Sequence, residues 1–302
     1  MPATLETLSD LHNELIRKAL RGFICIAPTD VPAITAITQT ADATLTPFVG
    51  HERLGNVSKR SGLSFQRQQE QAEVESWGQA EATRTDKTKD VNNVTFECQE
   101  TRRPVLETYY DLDLRQVAAD PVTGEVQFAQ PTTLRTIYRR IFFLGADGYG
   151  DDEIYIGRSM PRWTVTTVAD QSWGEENPLV YGITGSAKVD SKLGYSVKHF
   201  FGGPGWKTLL REAGFNRVYS LVTTGTPTAG AYKFVIDGEE SAPLTYNANA
   251  ASILAALEPL VGVGRVTVDG SASPYTVTFL DAHRVSLTIS TPFTGGSIEL
   301  QD

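Results

Sequence analysis

The sequence predicts a mainly β protein with a small α+β module at its C-terminal end. Segment 92–101 alternates strictly between apolar and polar residues, as a half-buried strand does. The segment that ends at Leu260 carries its apolar residues at helical spacing. Residues 222–230 are Thr, Gly, Pro, Ala and Val, a composition typical of a short exposed linker. The chain therefore divides into a strand-rich domain, 1–221, and a module, 231–302.

A long hairpin is the main feature predicted for the first domain. Its first strand, 63–74, is polar and alternates weakly, and its second strand is the segment 92–101. The residues between them, 75–91, are rich in charge and threonine and predict a long projecting tip. The other predicted elements of this domain are a helix at 103–112 with Pro104 in its first turn, strands at 136–145, 153–158, 163–168 and 179–189, and a short helix at 206–212.

The C-terminal module is predicted to pack strands around one helix. Asn247 or Asn249 can cap this helix, since an asparagine side chain accepts from the free N–H groups of the first turn. The strands are expected at 231–237, 242–246, 265–269, 275–280 and 284–290.

Charge is distributed unevenly along the chain. The 27 Lys and Arg residues against 36 Asp and Glu give a net charge of −9, which disfavours tight binding to nucleic acid because phosphates need a surplus of cations. Residues 231–302 hold 3 of those cations and 8 of the acids, so more than half of the surplus lies in the module.

The residues of the chain offer little for catalysis. The 4 histidines stand apart from one another, and no phosphate-binding glycine motif follows a strand. Cys25 and Cys98 lie in apolar runs and are expected to be buried free thiols. The acidic run 147–153 is the best metal candidate, but a hairpin turn is favoured because the later bidentate acid of a calcium loop is missing. The first ten residues lack the pattern of a secretory signal. We therefore expect no enzyme, no cofactor and no bound metal.

The tripeptide Ser-Trp-Gly occurs twice, at 76–78 and at 172–174. Each copy follows a predicted strand and precedes an acidic, polar stretch. Two copies are too few for a repeat architecture. They predict two hairpins of related geometry, each with a tryptophan at its bend.

Several blocks of the first domain resemble the major tail tube subunit of long-tailed phages, in the form found in phages of mycobacteria and related actinobacteria. The blocks that carry the resemblance are LIRKALRGFICIAP (15–28), SGLSFQRQQEQAEVESWGQAEATRTDKTKD (61–90), ECQETRRPVLETYY (97–110) and HFFGGPGWKTLLREAGF (199–215). The module 231–302 is similar to small repeat-type domains that are appended to phage tail proteins and occur in bacterial surface proteins.

The resemblance implies a β-sandwich-like domain with a flanking helix, assembled as hexameric rings that stack into a tube. It implies that the long hairpin contributes to a barrel around the lumen, that residues 75–91 dock on the next ring and that the module lies outside. The residues given roles by the resemblance are Trp77, Arg84, Asp86, Lys87 and Lys89 for stacking, Ser64, Gln66, Gln68 and Glu70 for the lumen, and Arg17, Phe200 and Trp206 for bridging subunits, with the arm 1–30.

The resemblance also implies the partners. They are further copies of this chain, a tape measure protein in the lumen, the tail terminator and distal tail proteins, and double-stranded DNA in transit only. The protein would be a virion component that is assembled in the host cytoplasm, without insertion in a membrane. The alternative is a surface or adhesin-like protein whose acidic C-terminal module contacts the host cell surface.

Overall fold

The structure is a computed structural model, and its backbone is mainly antiparallel β, as the sequence predicts. The residues that it describes are 9, 11–39, 42–133, 135–176, 178–210, 212–280 and 283–301. Two compact units can be separated by their internal contacts. One unit is Lys18–Pro204, and the other combines Gly205–Asp302 with the N-terminal residues up to Arg17.

An eight-stranded sheet forms the unit Lys18–Pro204. Its strands are β1 (Arg21–Pro28), β4 (Glu52–Arg53), β5 (Leu63–Val74), β6 (Arg84–Cys98), β7 (Arg139–Asp147), β8 (Ile154–Val168), β9 (Tyr181–Ala187) and β10 (Lys198–Gly202). They pair in the order β4-β1-β7-β8-β9-β6-β5, and β10 pairs with β8. Other elements are the small hairpin β2 (Thr38–Gln39) and β3 (Thr44–Leu45), helix α1 (Arg103–Tyr109) and a 3₁₀ turn at Gly150–Asp152.

The curved sheet encloses one main core. Phe96 of β6, Phe143 of β7 and Trp163 of β8 meet there with Val105 of α1. The ring centroids of Phe96 and Phe143 are 5.8 Å apart. Alternate residues of β1 and β7 point to the opposite face, where Cys25 and further side chains form a second cluster. The β1–β7 end of the sheet is therefore covered on both faces.

Gly185 of β9 leaves the space that Trp163 fills. A Cβ at Gly185 would overlap the indole ring, and Trp163 is fully buried. We expect Gly185→Ala to lower the free energy of unfolding by about 1–3 kcal/mol, because the core has no room for the added methyl group. The matched control is Gly174→Ala, whose added Cβ meets no neighbour. Urea unfolding of the two variants checks this, and equal midpoints would contradict it.

Two predictions about the first unit are corrected. Segments 153–158 and 163–168 belong to one strand, β8. The pairing of β8 with β7 shifts its register between Arg139 and Ile141, and this bulge accommodates Pro161 without ending the strand. The arm 1–30, which the resemblance assigns to bridging subunits, is in part a strand of the sheet, since its apolar run forms β1 between β4 and β7. Residues 1–8 and 10 of that arm lie outside the described residues.

The second unit contains a six-stranded sheet and two helices. The strands are β11 (Arg217–Ile236), β12 (Glu239–Glu240), β13 (Leu244–Thr245), β14 (Val266–Asp269), β15 (Tyr275–Phe279) and β16 (Val285–Gln301), and the helices are α2 (Pro204–Thr208) and α3 (Ala250–Val261), with a 3₁₀ turn at Asn13–Leu15. The side chain of Asn249 accepts from the Ser252 amide, which confirms it as the helix cap. Helix α3 packs Ile253 and Leu257 onto the sheet.

The prediction that residues 222–230 form an exposed linker is wrong. These residues lie inside β11, which pairs with β16 on both sides of a register shift between Gly225 and Ala229. The shift absorbs Pro227, which has no N–H to donate to the ladder. Strand β11 begins at Arg217, and Tyr219 belongs to the core of this unit. Helix α2 is shorter than the predicted 206–212, of which Arg211 lies outside the described residues.

Candidate functional site: a polar sheet face and a projecting hairpin

One face of β5 is polar and exposed, and it continues onto the paired residues of β6, which are half-buried or exposed. Ser64, Gln66, Gln68 and Glu70 alternate along β5, and all four side chains are exposed. Across the strands, Thr95 of β6 lies 2.9 Å from Thr184 of β9, oxygen to oxygen. The residues that pair with the four β5 positions are Thr95, Asn93, Val91 and Lys89. The four residues that the resemblance assigns to a lumen therefore share one wet surface.

The other face of β5 explains why the hairpin folds here. Phe65 packs edge-on against Phe143, with ring centroids 5.2 Å apart, and thereby anchors the base of the hairpin to the core. Strand β6 pairs with β9 only from Asn93 to Cys98. Before Asn93, β6 pairs with β5 alone. Beyond that point the hairpin is a two-stranded ribbon, 67–74 with 84–92, and its side chains are mostly exposed.

Charged side chains pair across the two strands of the ribbon. Nε of Arg67 donates to Oδ1 of Asp90 at 2.9 Å, and Nζ of Lys89 donates to Glu70 at 2.5 Å. The Arg67 guanidinium lowers the pKa of Asp90 to about 2. Because all of these groups are exposed, each pair stabilises the fold little, and the ladder hydrogen bonds keep the two strands together.

The tip of the hairpin, residues 75–83, is ordered but leaves its tryptophan in solvent. The hydroxyls of Ser76 and Thr83 lie 2.9 Å apart, and the Thr83 amide donates to the Val74 carbonyl. Gly78 takes a φ of 86°, which a glycine adopts without strain. Trp77 is completely exposed. A large aromatic side chain held in water by a well-ordered turn is typical of a surface that becomes buried in an interface.

The prediction of a long loop at 75–91 is wrong. Arg84, Asp86, Lys87 and Lys89 lie in strand β6 and pair with β5, so only 75–83 form the connection. Arg84 is paired with Asp86 on the same strand, Nε to Oδ2 at 2.8 Å. Of the predicted stacking residues, only Trp77 lies at the tip. Residues 84–90 are polar on both faces of the strand, so they carry no hydrophobic alternation that predicts it.

The three residues predicted to bridge subunits are in different settings. Phe200 lies in β10 with 8% of its surface exposed and packs against Phe142, so its side chain is part of the core and is not available to a partner. Its neighbour Phe201 points the other way and is half exposed. Trp206 is half-buried, with its ring 5.9 Å from that of Phe215. Arg17 belongs to the same unit as Trp206.

The second Ser-Trp-Gly copy also lies at a connection, between β8 and β9, and Trp173 is 84% exposed. Both tryptophans therefore stand at bends, as predicted.

Two carboxylates of the acidic run 147–153 are already engaged. Asp147 accepts from the Lys18 and Gly148 amides, and Glu153 accepts from Arg21 and from the Tyr155 hydroxyl. Within the described ranges, no group of three or more His, Cys, Asp and Glu side chains could hold a metal ion. Cys25 and Cys98 are buried free thiols, and burial raises the pKa of each to about 12.

None of the described helices has the length and apolar character needed to cross a membrane.

Comparison with protein families gives one match: the model of the phage tail tube protein family fits residues 10–188. No curated protein matches the sequence.

Three solved structures with some likeness to this chain come from the anti-feeding prophage and from an extracellular contractile injection system. One is the baseplate of the anti-feeding prophage, at 11% identity, covering 61% of this chain and 93% of that chain with a TM-score of 0.31. The tube-terminating cap of the same particle has 9% identity, coverage of 65% and 99% and a TM-score of 0.33. The sheath-tube complex of an extracellular contractile injection system has 9% identity, coverage of 67% and 99% and a TM-score of 0.30.

Proposed function

Since the chain belongs to the phage tail tube protein family, we propose that it assembles as stacked hexameric rings that form the tail tube, the conduit for the genome. It is a structural protein of the virion tail and not an enzyme. The observation that carries the assembly proposal is the exposed polar face of β5 with its paired residues on β6, which continues into a projecting ribbon. Such a face suits a wet channel, and such a ribbon suits contact with a further subunit.

The chemistry of the polar face supports a lumen. Ser64, Gln66 and Gln68 are uncharged, and Glu70 is neutralised by Lys89. A surface of this kind stays hydrated and has no surplus of cations to hold DNA phosphates. DNA can then pass without adhering, and the tape measure protein can occupy the same channel before ejection.

The ribbon and its tip would make the contact between rings. Trp77 is the anchor that we assign to this contact, because an aromatic side chain at a protruding turn gains most from burial. The C-terminal module, from Arg217 onward, would decorate the outside of the tube. The blocks that resemble tail tube subunits of phages of actinobacteria favour a long flexible tail, which is completed by terminator and distal tail proteins and assembled in the host cytoplasm.

A cysteine placed on the polar face tests the lumen. In assembled tubes we expect Gln68→Cys to react with a small maleimide and to be protected from a large polymer-linked maleimide, because only the small reagent diffuses along the channel. Cys25 and Cys98 add little background, since both are buried with a raised pKa.

Two controls accompany this measurement. The dissociated Gln68→Cys subunit should react with both reagents, and Val263→Cys, at an exposed position of the module, should react with both in tubes. Labelling of Gln68→Cys by the large reagent in intact tubes would refute the lumen assignment. A parent chain that stays monomeric under all assembly conditions, seen by electron microscopy, would refute the tube itself.

The alternative, an adhesin-like function of the module, is favoured by one observation. The module has its own core, and its residues 231–302 hold 8 acids against 3 cations. The truncation argued at the end of the Discussion separates this possibility from the tube.

A further inference from the structure

Arg158 is a partly buried cation without an anionic partner. It lies in β8, and its guanidinium carbon sits 4.1 Å from the centre of the Phe65 ring. Among the residues that the structure describes, no carboxylate or carbonyl accepts a hydrogen bond from this guanidinium. Burial lowers its pKa. Stacking on an aromatic ring compensates only part of the cost of desolvating a charge.

A histidine and a second arginine lie near Arg158. His199 of β10 stands directly opposite Arg158 in the ladder, and its ring is exposed. Burial, Arg158 and Arg67 together lower the pKa of His199. The charge of Arg67 is already satisfied by Asp90. We call Phe65, Arg158 and His199 the cationic notch; it lies where the ribbon leaves the sheet.

The tip of the hairpin has the complementary composition. Residues 73–83 contain Glu73, Glu75 and Glu81 and no Lys or Arg. None of these three carboxylates has an ion-pair partner among the described residues. The tip of one chain cannot reach its own notch, because the ten residues from Phe65 to Glu75 form an extended strand of roughly 33 Å.

We propose that the cationic notch of one subunit receives a carboxylate from the hairpin tip of a second copy of this chain, so that Glu75 or Glu81 pairs with the Arg158 guanidinium. The inference rests on the proposed self-assembly and identifies the surface that the ribbon of a second copy contacts. The pair supplies the anion that Arg158 lacks in the free subunit. It also brings Trp77 next to the Phe65–Arg158 stack, where the indole is removed from water.

A disulfide trap tests the juxtaposition directly. The chain with His199→Cys and Gln79→Cys, assembled and then oxidised, should give a ladder of covalent multimers on a non-reducing gel. Gln79 is exposed between the two acids of the tip. His199→Cys combined with Thr123→Cys, in an exposed turn, should give no ladder. Assembled tubes without a ladder from the first variant would overturn the proposal.

Removing the charge of Arg158 gives an independent measurement. Arg158→Met keeps the length of the side chain, so we expect the free subunit to melt at an unchanged or higher temperature. The concentration needed for assembly should rise about tenfold, since one buried ion pair per contact is lost. Arg162→Met is the matched control, because Arg162 also lies 4.1 Å from an aromatic ring centre, that of Tyr138.

The outcomes are distinct. If Arg158→Met assembles at the same concentration as the parent, the inference is overturned. It is also overturned if the variant subunit loses as much folding stability as the assembly loses, because Arg158 is then a packing residue. A parent chain that does not assemble at all would instead count against the proposed function.

Discussion

Trimming the ribbon is expected to give a folded subunit that no longer forms tubes. The variant replaces residues 72–86 by Asn-Gly, which joins Gln71 to Lys87, a pair that already lies opposite in the ladder. Asn-Gly favours the tight turn that connects two adjacent antiparallel strands. The removed part contributes no side chain to the core, so the melting temperature should change little. Assembly should fail because Trp77, Glu75 and Glu81 are removed together.

Circular dichroism melts and negative-stain images measure the two effects separately. The control shortens a different exposed turn by deleting residues 121–124, which leaves the ribbon intact and should preserve tubes. Tubes of normal length from the trimmed variant would contradict the stacking function of the ribbon. An asymmetric deletion would be less informative, because it would leave one strand of the ribbon without its partner.

The sequence predicts strands best where one face is buried. Alternation of apolar residues located the end of β6, since Val94, Phe96 and Cys98 all enter the core. The same strand continues back to Arg84, where both faces are in water and the hydrophobic alternation disappears. Residues 222–230 were misread for the same reason: they pair with β16 as an exposed ladder and carry Gly and Pro at a bulge. A ribbon that is exposed on both faces has little hydrophobic pattern to read.

The candidate site was predicted only in part. The polar positions on β5 were named from the family resemblance, and they lie together on one face of this strand. The cationic notch could not be predicted, because Phe65, Arg158 and His199 are distant in sequence and meet through the β8–β10 pairing and the packing of β5. Phe200 shows the opposite error: the resemblance implied a bridging contact, but strand alternation places Phe200 in the core and leaves Phe201 exposed.

The second large effect is expected from removing the module at the correct boundary. A cut within 222–230 would leave Tyr219 and Leu221 without the core that they pack into, and the exposed apolar strand would aggregate. A chain that ends at Asn216 avoids this, because strand β11 begins at Arg217. It also retains both side-chain clusters of the first unit and all of residues 10–188, the segment that the tail tube family covers.

We expect the chain 1–216 to assemble into tubes of smaller outer diameter with an unchanged lumen, because the ribbon and the polar face are intact and only the decorating module is lost. Class averages of cross-sections measure both diameters. The matched control is Lys233→Gln in the full chain, which removes an exposed ion pair with Glu240 and should leave both diameters unchanged. If 1–216 stays monomeric while the full chain assembles, the module takes part in assembly and does not merely decorate. If neither assembles while the isolated module binds host cells, the adhesin-like function replaces the tube.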